Sequence, residues 1–422
     1  MFNNKEKRQT YSWALNDWAN SAFATTVMAG FFPVFFKKYW CAGVDVSQST
    51  FQLGAANSIA TIIVALISPI LGAIADKGSS RKKFLFLFTY LGIVMTMALF
   101  SVSQGDWVTA VIFYIAAAVG FSGSLTFYDS LLIGITPPEK RDYVSSLGYA
   151  YGYLGGGLLF ALNVAMTLKP EFFGLADASQ AVRVSFITVG IWWSLFSIPV
   201  FLFVKEPETG TKQKYLHIVS DAFKSLASTL REIKKYRVAF LFLIAYWFYI
   251  DGVDTIIHMA VDYGMSIGFD SNSLIVALLI TQFVGFPSAI AIGKISEKIG
   301  TKISIFICIL VYIFVCVWGS LMNQVNEFYV LAVTVGLVQG GIQSLSRSMF
   351  SRIIPQTNAS QFFGFYNMLG KFAVVIGPLL MGSVSVITKN PRYSVLSVII
   401  LFMIGGIILY FVDEEKGIKS TG

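Results

Sequence analysis

The sequence predicts an all-α integral membrane protein of twelve transmembrane helices in two pseudo-symmetric six-helix bundles. Three observations carry this. The 422-residue chain is 55% hydrophobic and only 13% charged, with a mean hydropathy of +0.69, whereas a soluble domain carries about 25% charged residues. Runs of about 20 apolar residues recur, each enough to cross a hydrocarbon core of about 30 Å as a helix. A short basic hairpin occurs twice, as G-A-I-A-D-K-G-S-S-R-K-K at 72–83 and as G-K-I-S-E-K-I-G-T-K at 293–302. Each copy joins two apolar segments, and together they match Gly72, Asp76, Lys77, Gly78 and Arg81 with Gly293, Glu297, Lys298, Gly300 and Lys302.

Twelve spans fit in order: 12–36, 51–74, 84–103, 107–133, 144–166, 184–204, 238–261, 272–292, 303–322, 328–349, 362–387 and 393–412. Lipid offers no partner for open backbone groups, so helices are expected, and the alternating ten-residue pattern of a β-barrel is absent. Residues 1–204 form the first bundle, 205–237 a linker and 238–422 the second bundle. Of 31 Lys and Arg residues, 24 fall at the termini and in even-numbered loops, against six in odd-numbered loops. The excess of basic residues marks the cytoplasmic side, which places both termini in the cytoplasm. In the linker, Leu216, Val219, Phe223, Leu226, Leu230 and Ile233 recur at helical spacing among lysines and arginines. That pattern suits an amphipathic helix in the membrane interface, against lipid headgroups. The net charge of +8 is spread over short loops, which argues for topology and not for a nucleic-acid partner. Three cysteines and two histidines give no metal-ligand or disulfide pattern.

Several intramembrane polar residues stand out, because each Asp at a helix centre costs about 2.5–3.5 kcal/mol to insert. In span 7, Asp251, Asp254, Thr255 and His258 form one stripe at helical spacing. The stripe is expected to face a cavity as substrate-binding or proton-coupling groups, since histidine changes charge near neutral pH; a structural hydrogen bond is the alternative for Asp254. Span 1 offers Asn16, Asp17 and Asn20 in its inner half, where amides that donate and accept suit a zwitterion or pin neighbouring helices. Span 10 carries Gln339, Gln343 and Arg347 at successive steps of four. Arg347 and Asp129 hold equivalent places in spans 10 and 4, so a salt bridge between bundles is expected to gate the inner mouth. A substrate carboxylate, or the membrane surface reached by snorkelling, are the other readings of Arg347. In span 11, Lys371 has Asn367 one turn before it; the Lys needs an acid, with Asp17 or Asp129 as candidates, or a substrate carboxylate.

The duplicated halves and the 72–83 hairpin resemble the major facilitator superfamily over nearly the whole chain. Y-S-W-A-L-N-D-W-A-N-S-A-F-A-T-T-V (11–27), F-Y-I-D-G-V-D-T-I-I (248–257), G-G-I-Q-S-L-S-R-S-M-F (340–350) and F-F-G-F-Y-N-M-L-G-K-F (362–372) narrow the match. They are similar to bacterial relatives of the autophagy-related vacuolar amino-acid effluxer. The resemblance implies a monomeric secondary transporter in the bacterial inner membrane, without a cofactor, moving small polar solutes by alternating access. Amino-acid export is the implied activity, and the span 7 acids and histidine make protons the expected coupling ion. It also implies that Asp76 meets the start of span 11, so that Asp76, Arg81 and Glu297 act in gating. The superfamily's Gly-Pro pair in span 5 is missing here. No G-x-x-x-x-G-K-[ST] or H-E-x-x-H run is present, which leaves an ATP-driven pump or a zinc hydrolase unsupported. Efflux of amphipathic toxins or drugs, and a receptor without flux, are the competing readings.

Overall fold

The computed structural model describes residues 4–43, 46–78, 80–206 and 236–420. The interfacial helix expected within 205–237 lies largely outside them. Among the described residues are twelve helical segments long and apolar enough to cross a membrane, at the places the sequence indicates. We label them α1 (Asn4–Trp40), α2 (Val46–Gly78), α3 (Arg81–Ala98), α4 (Trp107–Ile135), α5 (Arg141–Leu168), α6 (Ala178–Phe203), α7 (Arg237–Ser266), α8 (Ser271–Ile299), α9 (Thr301–Leu321), α10 (Val325–Arg352) and α11 (Ala359–Thr388). The last, α12, breaks at Val398 into Pro391–Ser397 and Ile399–Tyr410, and a short α13 (Glu414–Lys419) follows. The first half of α1 is regular to Ala22, but Phe23–Phe31 and Phe36–Trp40 are wound as π-helix.

Helix ends follow local chemistry. The carboxylates of Asp106 and Asp177 accept the N–H groups of Thr109 and Gln180 at 3.2 and 2.7 Å, and Gln324 with Glu327 forms a capping box on α10. Such side chains satisfy the first N–H groups of a helix, which have no partner inside it. Large apolar side chains such as Leu87, Leu202 and Leu310 remain exposed on α3, α6 and α9, which supplies a lipid-facing belt.

The two bundles meet along two seams, α2 against α11 and α5 against α8. A glycine makes each close approach possible. A Cβ on Gly72 would collide with the Ser360 backbone of α11, and one on Gly293 would lie 2.6 Å from the Ser146 side chain of α5. The duplication shows in atomic detail at the next turn. Lys82 Nζ donates to the carbonyls of Phe201 and Val204, both at 2.7 Å. Lys302 Nζ does the same to Tyr410 and Val412, at 2.8 and 2.7 Å. Each lysine thus caps the end of the last helix of its bundle, where carbonyls lack partners. This corrects the register read from the sequence: Lys302 matches Lys82, and Thr301 matches Arg81, the two being the first residues of α9 and α3. The second hairpin is one residue shorter.

Candidate transport site and gate

Arg347 lies at the centre of the interface between bundles, 2% exposed. Its Nη1 donates to Asp129 Oδ1 at 3.1 Å and to Asp17 Oδ2 at 3.4 Å. Its Nε and Nη2 donate to the Oγ and carbonyl of Ser145 at 2.9 and 2.8 Å. Rings of Tyr149, Trp13 and Tyr128 surround the guanidinium, with centroids 4.4, 4.8 and 5.6 Å away. Two carboxylates share one cation, and neutral donors satisfy the rest: Tyr128 Oη donates to Asp17 at 2.8 Å and Asn367 Nδ2 to Asp129 at 3.1 Å. Gly148 leaves the room, since a Cβ there would collide with Asp17 Oδ2. The expected Arg347–Asp129 pair is therefore present, with Asp17 as a third member, and Arg347 does not snorkel.

The span 7 stripe divides between two environments. Asp251 is fully buried against α11, where its Oδ1 accepts the Gly377 N–H at 2.9 Å and the Thr255 hydroxyl at 3.3 Å. Pro378 follows inside the helix and has no N–H of its own to donate. Asp251 therefore sits in a helix seam, and the expectation that it faces the cavity with Asp254 is corrected. Asp254, half-buried, and His258, exposed, lie on the other edge of the stripe. Lys371 lies on α11, which packs along α7, and its Nζ lies 5.7 Å from the Phe121 ring of the first bundle. Lys371 has no carboxylate within 4.0 Å among the described residues. The expected partners Asp17 and Asp129 are taken by Arg347 instead. Gln343 accepts from Tyr153 Oη at 3.2 Å, and Gln339 lies one turn before it on α10. Asn16 and Asn20 are buried, with the Oδ1 of one and the Nδ2 of the other unpaired among the described residues.

Two locks close the hairpin end. At the first, Asp76 accepts the N–H groups of Ser360 and Gln361 at 3.1 and 2.9 Å, at the start of α11. Arg81 binds the same carboxylate at 2.8 Å and the Gln356 carbonyl at 3.1 Å. At the second, Asp142 accepts from Thr301 and Ser296 at 2.7 and 3.0 Å and pairs with Arg352 at 2.8 Å. Arg352 also holds Glu414 at 3.1 Å. Glu297, expected to act as the second gating acid, is exposed and has no ion pair or hydrogen bond given among the described residues. Asp142 is the acid that stands at the second seam. Its sequence signal was an acid in the first turn of α5 beside Arg141, which the expected start of span 5 at 144 left in a loop. Every hydrogen bond between the bundles among the described residues lies between the hairpins and the Tyr153–Gln343 contact.

A model of the family described as "Vacuole effluxer Atg22 like" matches residues 5–422. The chain belongs to that family. It is 41% identical over 410 residues to the "Uncharacterized MFS-type transporter YxiO" of Bacillus subtilis (strain 168), covering 97% of this chain and 95% of the relative. Autophagy-related protein 22-1 of Aspergillus niger is 23% identical over 475 residues, with 90% and 75% covered. Among solved structures, the human organic anion transporter MFSD10 superposes with a TM-score of 0.75 at 12% identity, over 96% of this chain and 100% of that one. The proton:xylose symporter XylE gives 0.74 at 13%, over 98% and 97%. These likenesses show the major facilitator fold. Family and fold are those of a membrane transporter and not of an enzyme.

In this Atg22-like chain the second bundle also holds a partly open apolar pocket of about 130 Å³. Ile257, Tyr263, Phe328 and Met381 are among its walls, and Thr281, Gln282 and Gln339 supply its polar edge. The site as a whole combines a closed, doubly locked end, a buried guanidinium held by two carboxylates, and a deeper group of Asp254, His258 and Lys371.

Proposed function

We propose that this protein is a proton-coupled secondary carrier for small zwitterionic solutes, amino acids foremost, working by alternating access as a monomer. We place it in the bacterial inner membrane, with both termini, the hairpins and the linker cytoplasmic. The reading rests on one observation above the rest: Asp254 and Lys371, of opposite charge and on the packed helices α7 and α11, form no ion pair within 4.0 Å among the described residues. A solute with an ammonium and a carboxylate supplies the missing partner for each, which offsets the cost of unpaired charge at membrane depth. Asp254 and His258 provide protonatable groups in the same place. Asn16, Asp17, Asn20, Gln339, Gln343 and Asn367 line or brace the route, with Asp251 bracing α7 against α11. Asp76, Arg81, Asp129 and Arg347 form the cytoplasmic gate.

The test is uptake into proteoliposomes under an imposed proton gradient, comparing amino acids with amines and carboxylic acids that lack one of the two charges. Preference for the zwitterions, lost in Asp254→Asn and Lys371→Met, supports the proposal. Equal uptake of the singly charged analogues, or indifference to the gradient, refutes it. The apolar cavity favours a second reading, efflux of amphipathic toxins or drugs, and competition by lipophilic cations in the same assay would select it.

A further inference from the structure

The surroundings of Arg347 have an ownership that alternating access makes consequential. Among the described residues, every hydrogen-bond partner and ring against its guanidinium comes from the first bundle: Trp13 and Asp17 from α1, Tyr128 and Asp129 from α4, Ser145 and Tyr149 from α5. The guanidinium alone comes from the second bundle, on α10. Three π faces within 5.6 Å and two carboxylates are what a receptor for an organic cation requires. When the bundles rock apart at the hairpin end, Arg347 leaves with α10, and both acids lose their counter-charge together. The two carboxylates then face the opened inner cavity without a counter-charge, which leaves the cage free to take up another cation.

We infer that the first bundle carries a binding site for a guanidinium or alkylammonium group, built from Asp17, Asp129, Trp13, Tyr128 and Tyr149. Arg347 fills it while the hairpin end is closed, and the cationic end of the transported solute fills it once the bundles part. The inference rests on the carrier reading above for the identity of the incoming cation. The resident side chain shows the chemistry accepted: a planar cation stacked on Tyr149 and Trp13 while its N–H groups face carboxylates. Asn367, which donates to Asp129 of the cage, lies one helical turn before Lys371 on α11, so the cage and the Lys371 group are neighbours. A solute can therefore pass from one to the other without crossing lipid. Exchange of a tethered cation for a mobile one keeps the charge of the cage balanced in both states.

Two arms test this on the full-length protein. In nanodiscs, Arg347→Ala is titrated with methylguanidinium, with sodium as the ionic-strength control. A saturable rise in melting temperature is expected, absent in the parent protein and lost when Tyr149→Leu is added. In proteoliposomes of the parent protein, arginine and citrulline compete against a transported amino acid; the two differ by a guanidinium against a neutral urea. Arginine is expected to compete better by about tenfold or more, the worth of one charge-assisted hydrogen bond. No stabilisation of Arg347→Ala, with arginine no better than citrulline, overturns the cage while transport of neutral amino acids leaves the carrier reading standing. If Arg347→Ala does not fold, the competition decides alone, and equal potency refutes. If no solute moves at all, the carrier reading fails and the methylguanidinium titration still judges the cage.

Discussion

Replacing Asp76 with alanine should shift the conformational balance of the whole molecule. Asp76 accepts two N–H groups from the start of α11, and it is the carboxylate partner of Arg81, which is itself fully buried. Removing one member of a buried ion pair costs about 3–5 kcal/mol, because the remaining charge stays in a dry site. That cost falls on the state in which the hairpin end is closed; in the opposite state water reaches Arg81. The ratio of closed to open should therefore fall by roughly a hundredfold to a few thousandfold, at about 1.4 kcal/mol per decade. The assay is thiol labelling at Ser146→Cys, with Cys41, Cys308 and Cys316 replaced. Ser146 is fully buried at the other seam, 2.9 Å from Ser344 of α10, so its exposure reports rocking of entire bundles and not local fraying. A membrane-impermeant maleimide applied from the hairpin side should label the Asp76→Ala protein far faster than its parent. Glu297→Ala, which removes an exposed and unpaired acid, should leave the rate unchanged. Equal rates for Asp76→Ala and its parent, or equal acceleration by Glu297→Ala, would refute the reasoning.

Gly148→Ala should lower the melting temperature, because the new methyl collides with Asp17, whereas Gly382→Ala, with nothing within 4 Å, should leave it unchanged or higher. Lys82→Ala and Lys302→Ala should each cost about 1 kcal/mol in thermal melts, and by similar amounts, since each removes the cap on two helix-end carbonyls. Asp254→Asn should abolish gradient-driven uptake while the protein melts normally. Asp251→Asn should keep most uptake, because an amide oxygen can still accept the Gly377 N–H.

The twelve spans were legible because insertion into lipid depends on summed hydropathy, which a sequence states directly. The Arg347–Asp129 pair was legible too, since the two residues hold equivalent places in duplicated halves. Asp17 as third member was not: it meets Arg347 across 330 residues, and no periodicity encodes which face of α1 turns to α10. The split of the span 7 stripe was hidden for a related reason. Asp251 and Asp254 differ by about 60° around the helix, and only the close fit of Thr255 against Gly377 decides which of them is pressed into α11. Lys371 lacked the acid expected for it because both candidates were already engaged, a competition visible only in three dimensions.

The two locks show what the duplication preserved. At the first, a carboxylate from the α2–α3 hairpin reaches the N-terminus of α11. At the second, Asp142 stands in the first turn of α5, the counterpart of α11, and the hairpin contributes the hydroxyls of Ser296 and Thr301. In both cases a carboxylate neutralises the positive end of the helix that crosses the seam, where a negative charge is stabilising. What changed is the segment that carries the acid. Aligning the hairpins therefore points to Glu297, whereas following the helix N-terminus points to Asp142, and only the second choice agrees with the geometry. The swap also brings Arg352 and Glu414 into the second lock alone. Asp142→Ala should therefore free the segment after α12 as well as loosen the seam, a double effect that Asp76→Ala cannot produce. Proteolysis near Glu414 would detect it, and protection unchanged in Asp142→Ala would mean that Arg352 holds Glu414 without help from α5.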